Sequence, residues 1–170
     1  MLVEIDPTEA RAAERQIHAA GRLQIESGDG YAALKAMLPP PERRGLALID
    51  PPYEQLDEWK MLMRAFVDAY RRWPSGTFVI WYPILDAAQR RGVHARLESL
   101  AIPKTLCADL AIHADDAGVG LAGSGLAIVN PPFGLDEALQ EAYAALHRHL
   151  SPNGAGYVEV ARLTPERMAQ

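Results

Sequence analysis

Asp50, Pro51, Pro52 and Tyr53 follow directly on Gly45–Ile49, a run with no polar side chain. Two adjacent prolines fix their φ angles and donate no hydrogen bonds. The Asp50 carboxylate and the Pro51 carbonyl are therefore held rigid with their acceptors free. An exocyclic amino group offers two hydrogens to such a pair. On adenine the N6 lone pair is delocalised into the ring. Two acceptors holding its N–H bonds favour the tetrahedral geometry in which nitrogen attacks a methyl group, and Asp50 takes the proton as the amine becomes cationic. Tyr53 adds a ring face on which a base drawn out of its helix can lie. The chemistry such a set performs is methyl transfer to an adenine amino group, with S-adenosylmethionine as donor. The plainer alternative is a stiff strand-to-loop turn.

The elements around the motif favour the chemical reading. The chain alternates short β-rich runs with longer helical periods, the pattern of strands and helices around a mainly parallel sheet. Strands are expected at 2–6, 23–26, 45–49 and 78–82. Helices are expected from Pro7 to Gly21, Tyr31 to Leu38, Leu56 to Arg72 and Leu85 to Leu100. After Pro103 the rhythm changes: 105–112 and 124–129 read as two strands joined by a Gly- and Asp-rich loop too short for a helix. A helix at 136–150 and a strand at 157–160 close the chain. The expected fold is α/β and Rossmann-like, a mostly parallel sheet ending in an antiparallel hairpin, built as one catalytic domain over residues 1–170. In such sheets ligands bind beyond the strands' carboxyl ends. Glu4-Ile5-Asp6, Ser27-Gly28-Asp29-Gly30 and Asp50–Tyr53 all fall at those ends.

Glu4 is the candidate for a cofactor's ribose hydroxyls, because Asp6 precedes Pro7 and suits a helix cap better. Asp29 can accept from the cofactor's adenine amino group while the Gly30 N–H donates to its ring; the alternative is that Asp29 caps the helix after it. Asn130-Pro131-Pro132-Phe133 repeats the motif class after a second apolar strand, but follows the late hairpin and lacks a carboxylate. Gly118-Val119-Gly120-Leu121-Ala122-Gly123 spells a dinucleotide fingerprint, yet leads into a strand where the fingerprint needs a helix. It reads as a hairpin loop.

Composition excludes several classes. No apolar run approaches the ~20 residues of a membrane span, and the first residues lack a signal peptide's order, so a cytoplasmic location is expected. The single cysteine, Cys107, excludes an internal disulfide and a cysteine-cluster metal site. The histidines show no metal-ligand spacing, so no metal is expected. A net charge of −5 argues only weakly against nucleic acid, since Arg43-Arg44, Arg71-Arg72 and Arg90-Arg91 can form a basic rim.

The ordered set Gly30–Leu38, Arg43–Glu54, Trp81-Tyr82-Pro83, Gly123-Ser124-Gly125 and Asn130-Pro131-Pro132 closely resembles the RlmJ family over essentially the whole chain. The resemblance implies an enzyme that methylates N6 of an adenine in bacterial large-subunit (23S) ribosomal RNA, before full ribosome assembly, with S-adenosylmethionine. It implies Asp50 as proton acceptor and cofactor neighbour, with Pro51, Pro52 and Tyr53 completing the catalytic segment. Glu4, Asp29 and Gly30 are the implied cofactor ligands. Family members also carry a basic N-terminal segment, a first strand and a glycine-rich loop for the cofactor's methionine part, and a helical insertion. This chain begins where the family's second strand begins, so it is expected to lack the central strand, to self-associate through exposed sheet edges and to be inactive alone. The rival readings are a DNA adenine-N6 methyltransferase, a non-catalytic α/β binding module and, third, a nucleotide-dependent oxidoreductase.

Overall fold

The computed structural model describes residues 1–17, 23–53 and 57–165. Two compact units divide them, one from Met1–Arg43 with Pro52–Pro74, the other from Arg44–Pro51 with Ser75 onward.

In the first unit, β1 (Leu2–Glu4) and β2 (Ile25–Ser27) pair in parallel, Glu4 opposite Ser27. Between them runs α1 (Pro7–Gln16), opened by Asp6, which accepts from the Thr8 N–H at 2.7 Å, and by a proline at the first helical position. The expected helix end at Gly21 lies outside the described residues; the described helix stops at Gln16. Helix α2 (Gly30–Met37) is capped by Asp29 and packs on α3 (Glu58–Arg72). Leu62, Phe66, Ala69 and Trp73 recur at helical spacing and are buried. The Trp73 indole donates to the Arg43 carbonyl at 3.4 Å, and Arg72 Nε to the Leu38 carbonyl at 3.2 Å.

The second unit is a five-stranded sheet in the order β3-β4-β6-β5-β7, formed by β3 (Leu46–Ile49), β4 (Thr77–Ile84), β5 (Thr105–Ala111), β6 (Gly123–Val129) and β7 (Tyr157–Thr164). β3 and β4 are parallel; β6 runs antiparallel between β4 and β5, and β7 adds an antiparallel edge to β5. The hairpin expected from the sequence is thus present, and β7 extends four residues beyond the expected 157–160. β4 also runs on through Pro83. β3 reaches only to the level of Ile80, so the missing proline N–H removes no bond to that neighbour.

Helices α4 (Ala87–Ser99) and α5 (Leu135–Leu150) pack on this sheet; α5 contacts β5 and β7, and α4 contacts β4 and β7. Strict alternation along β4 buries Phe78, Ile80, Tyr82 and Ile84 on one face. On the other face Leu46 and Leu48 of the edge strand β3 are 61% and 63% exposed. Among the described residues no strand pairs with the outer edge of β3.

Candidate active site

The register of the second unit fixes where each motif lies. Ile49 is level with Ile80, so Asp50 stands at the carboxyl end of β3, beside Trp81 of the parallel strand β4. β6 runs the other way, so its first residues, Gly123 and Ser124, face Ile84 and Pro83 at the same end of the sheet. Its last residue, Val129, faces Phe78 at the opposite end. The glycine-rich hairpin loop therefore roots on the Asp50 side. Asn130-Pro131-Pro132-Phe133 roots on the far side. Left-handed φ angles at Gly118 (63°) and Gly120 (81°) and the direct entry into β6 make Gly118–Gly123 a hairpin loop; no helix follows it to receive a pyrophosphate.

Ile49 and Pro51 are buried on either side of Asp50, whose own side chain is exposed. Loss of water around the carboxylate raises its pKa above the ordinary aspartate value. Tyr53 takes a left-handed backbone conformation, φ 55°, that a bulky residue seldom adopts. Its ring lies 5.0 Å, centroid to centroid, from that of Trp59 at a tilt of 43°, a favourable aromatic pairing. Trp59 thus gives one side of Tyr53 a fixed support. In the same unit the Tyr31 hydroxyl donates to the carboxylate of Glu58, which is buried at the start of α3 and joins that helix to α2. Burial, then Glu58, raises the Tyr31 pKa, so its hydroxyl keeps its proton.

Glu4, Asp29 and Gly30 come together at the carboxyl ends of the paired strands β1 and β2. The Glu4 carbonyl accepts from the Gly28 N–H at 2.9 Å, and its carboxylate accepts from the Asp6 N–H at 2.9 Å. Asp29 is a helix cap in fact, accepting from the Tyr31 N–H at 2.8 Å through one oxygen. A β-carbon at Gly28 or Gly30 would meet nothing within 4 Å. Packing within the chain therefore does not require glycine there. Asp50 belongs to the other unit.

A second constellation lies in the core of the five-stranded unit. Asp109, on β5 and 0% exposed, accepts from the Tyr82 hydroxyl at 2.5 Å. Its other oxygen lies 3.0 Å from His94 Nε2 and 3.2 Å from Arg90 Nη1, both on α4. Arg90 also pairs with Glu159 of β7 at 2.5 Å and sits over the Tyr157 ring at 5.0 Å. Burial pushes the Asp109 carboxyl up, but His94, Tyr82 and Arg90 outweigh it and hold the pKa below the ordinary value. Burial pushes the Cys107 thiol up to about 12, which leaves it protonated and inert, the core residue its neighbours suggest. A β-carbon at Gly125, opposite Asp109 on β6, would collide with the Tyr82 ring and the Asp109 carboxylate. Gly125 of Gly123-Ser124-Gly125 thus makes room for this network, while Gly123 clears the backbone of Leu110 and Ala111 on β5. One signal for it stood in the sequence: a lone acid in the apolar strand Thr105–Ile112. Among the described residues no cluster of histidine, cysteine and acidic side chains could hold a metal ion.

Parallel strands with carboxylates at their ends, a hairpin late in the sheet and a proline-stiffened Asp-Pro-Pro-Tyr beyond an apolar strand define a Rossmann-like methyltransferase fold. The chain belongs to the family described as "Ribosomal RNA large subunit methyltransferase D, RlmJ", which it matches over residues 1–164. It is 34% identical over 166 residues to "Ribosomal RNA large subunit methyltransferase J" of Haemophilus influenzae, covering 98% of this chain and 59% of that protein. It is 33% identical over 165 residues to the Escherichia coli protein of the same name, covering 97% of this chain and 59% of that protein. Its fold superposes on the crystal structure of protein LPL1258 from Legionella pneumophila with a TM-score of 0.85 and 28% identity, over 95% of this chain and 59% of that one. The chain therefore spans 59% of the length of each of these relatives.

Proposed function

We propose that the chain is the part of a methyltransferase that holds an adenine of large-subunit ribosomal RNA and accepts its N6 proton, residues 1–170 acting as one catalytic domain. The observation that carries the reading is Asp50 at the carboxyl end of β3, its carboxylate raised in pKa and its motif ending in a Tyr53 ring backed by Trp59. Both named relatives are large-subunit ribosomal RNA methyltransferases, which supports RNA over DNA as substrate.

The Asp50 carboxylate and the Pro51 carbonyl accept the two N6 hydrogens, and the base stacks on the Tyr53 ring. As the N6–C bond forms, the developing ammonium loses a proton to Asp50. A carboxylate with a raised pKa is a better acceptor for that proton than an ordinary one. S-adenosylmethionine, when bound, supplies the electrophilic methyl group. The donor set at β1 and β2 suits its nucleoside: Glu4 for the ribose hydroxyls, and Asp29 with the Gly30 N–H for the adenine, where open space stands over Gly28 and Gly30. Asp50 is the further cofactor neighbour in this reading. The residues that grip the methionine part are assigned to the remaining two-fifths of the relatives' length. The open edge of β3, with Leu46 and Leu48 exposed, is the place where the chain by itself would self-associate. A cytoplasmic location follows from the substrate.

A chimera in which residues 1–164 replace the matching part of the E. coli relative tests the substrate. It should transfer labelled methyl to N6 of adenine in purified 23S RNA. Preferential methylation of DNA would support the DNA-enzyme reading instead.

A further inference from the structure

The buried positions of α3 recur as Glu58, Leu62, Phe66 and Ala69, so a carboxylate takes the first place on an otherwise apolar stripe. Glu58 is 3% exposed. An apolar side chain of similar size would fill that place without the cost of taking a charge out of water, and such replacements are often neutral or stabilising. The dipole of α3 favours a negative group in its first turn, but an exposed acid would meet that preference at less cost. Neither packing nor the dipole accounts for a buried glutamate. Its partner does: the Tyr31 hydroxyl, from α2, donates to it. Asp57, the residue before α3, makes no side-chain hydrogen bond to the helix's first turn. The Tyr31 hydroxyl therefore gives that turn a directed bond to α2, where apolar contacts alone would let the two helices slide.

Each end of this pair adjoins one of the two binding elements assigned above. Tyr31 follows Gly30, and its own N–H donates to Asp29 at 2.8 Å. One residue thus bonds through its backbone to the carboxylate assigned to the cofactor's adenine, and through its side chain to α3. At the other end, Trp59 follows Glu58 in the same helical turn, and its ring lies 5.0 Å from that of Tyr53. Neighbouring side chains on a helix do not face each other, so Glu58 bears on Trp59 through the backbone they share. Asp29, Tyr31, Tyr53, Glu58 and Trp59 all belong to the first compact unit.

We propose that Tyr31 and Glu58 are positioning residues for methyl transfer: their hydrogen bond sets the aromatic platform of Tyr53 and Trp59 in place relative to the cofactor subsite at Asp29 and Gly30. This rests on the adenine-N6 reading above. Relative placement of two bound reactants acts on the chemical step more than on the binding of either, so the effect belongs in kcat. Initial rates of the chimera described above, at varied 23S RNA and S-adenosylmethionine, separate kcat from the two KM values, and melting temperatures are read alongside. Tyr31→Phe keeps the ring and removes the hydroxyl. It should lower kcat about tenfold with both KM values near those of the parent. Glu58→Gln keeps an acceptor for the hydroxyl and should hold kcat near the parent value. Tyr31→Phe combined with Glu58→Leu removes the buried charge together with its donor, so the melting temperature should return toward the parent while kcat stays low. A parent kcat in Tyr31→Phe, or a double variant in which kcat recovers along with the melting temperature, would give the pair a purely structural role and overturn the proposal. A parent chimera that methylates no adenine overturns the reading of the site and this proposal with it. An active parent with unresponsive variants overturns this proposal alone.

Discussion

Replacing Tyr82 by phenylalanine removes one hydroxyl from the core and leaves every apolar atom in place. That hydroxyl donates to Asp109 at 2.5 Å, and burial raises the tyrosine pKa, so it stays a donor at every pH of interest. The remaining donors to Asp109 are His94 at 3.0 Å and Arg90 at 3.2 Å. Hydrogen bonds to a buried charge are worth about 1.5–3 kcal/mol, so Tyr82→Phe should cost about 2 kcal/mol. For a chain of this length that lowers the melting temperature by about 4–8 °C. Asp109→Asn keeps the shape but removes the charge that His94, Arg90 and Tyr82 share, and turns an amide toward their N–H and O–H groups; about 3 kcal/mol is expected. If the two residues act through one contact, the double variant loses clearly less than the sum, with a coupling of about 1.5 kcal/mol. Urea unfolding followed by circular dichroism, with matched m-values, measures all three variants. Additivity within about 0.4 kcal/mol would refute the claim that the Tyr82 hydroxyl holds the Asp109 charge.

Three further outcomes follow from the same geometry. Asp109 is held below its ordinary pKa, so its stabilisation is full above the unfolded value of about 3.9 and disappears as pH falls through the folded one. Acid unfolding of Asp109→Asn should therefore be less steep than that of the parent, and equal steepness would contradict the assignment. Trp59→Ala, which removes the support of Tyr53, should raise the chimera's KM for RNA several-fold, and Trp59→Phe should restore it; a KM unmoved by either substitution would show that the pairing does not position the ring. Calorimetry of the 170-residue chain with S-adenosylmethionine should show no micromolar binding, and a micromolar Kd would place the methionine-gripping residues within this chain.

The parts of the fold written in local sequence were readable before any coordinates. Asp6 and Asp29 each stand just before a helical period, and both cap helices; the expected start at Leu85 was two residues early, because Asp86 caps α4 from outside. Asp50 was visible because an apolar strand ran straight into two prolines. The end of β7 was not, since Ala161, Arg162 and Thr164 take strand form through pairing with β5, and Arg162 through its bond to Asp136. The network around Asp109 was likewise hidden. Its partners are 15, 19 and 27 residues away along the chain, brought in by a helix and by β4, which lies across β6 from β5 in the sheet. The two Pro-Pro motifs were told apart in the sequence by the carboxylate and by the hairpin before Asn130, but not by their place in the sheet. Only the antiparallel direction of β6 sends them to opposite ends of the sheet.

The central claim is that Asp50 accepts the proton of the reacting amine, and its most direct test is methyl transfer by the chimera carrying Asp50→Asn. Asparagine keeps an acceptor for one N6 hydrogen but takes up no proton. Initial rates of labelled methyl incorporation into 23S RNA should fall by about 10²–10⁴-fold, the worth of a general base. RNA affinity and melting temperature should stay at parent values. In the parent the rate should rise as pH passes upward through the raised Asp50 pKa and then level off, and the variant should lose that dependence. An Asp50→Asn chimera that methylates adenine at the parent rate would contradict the account.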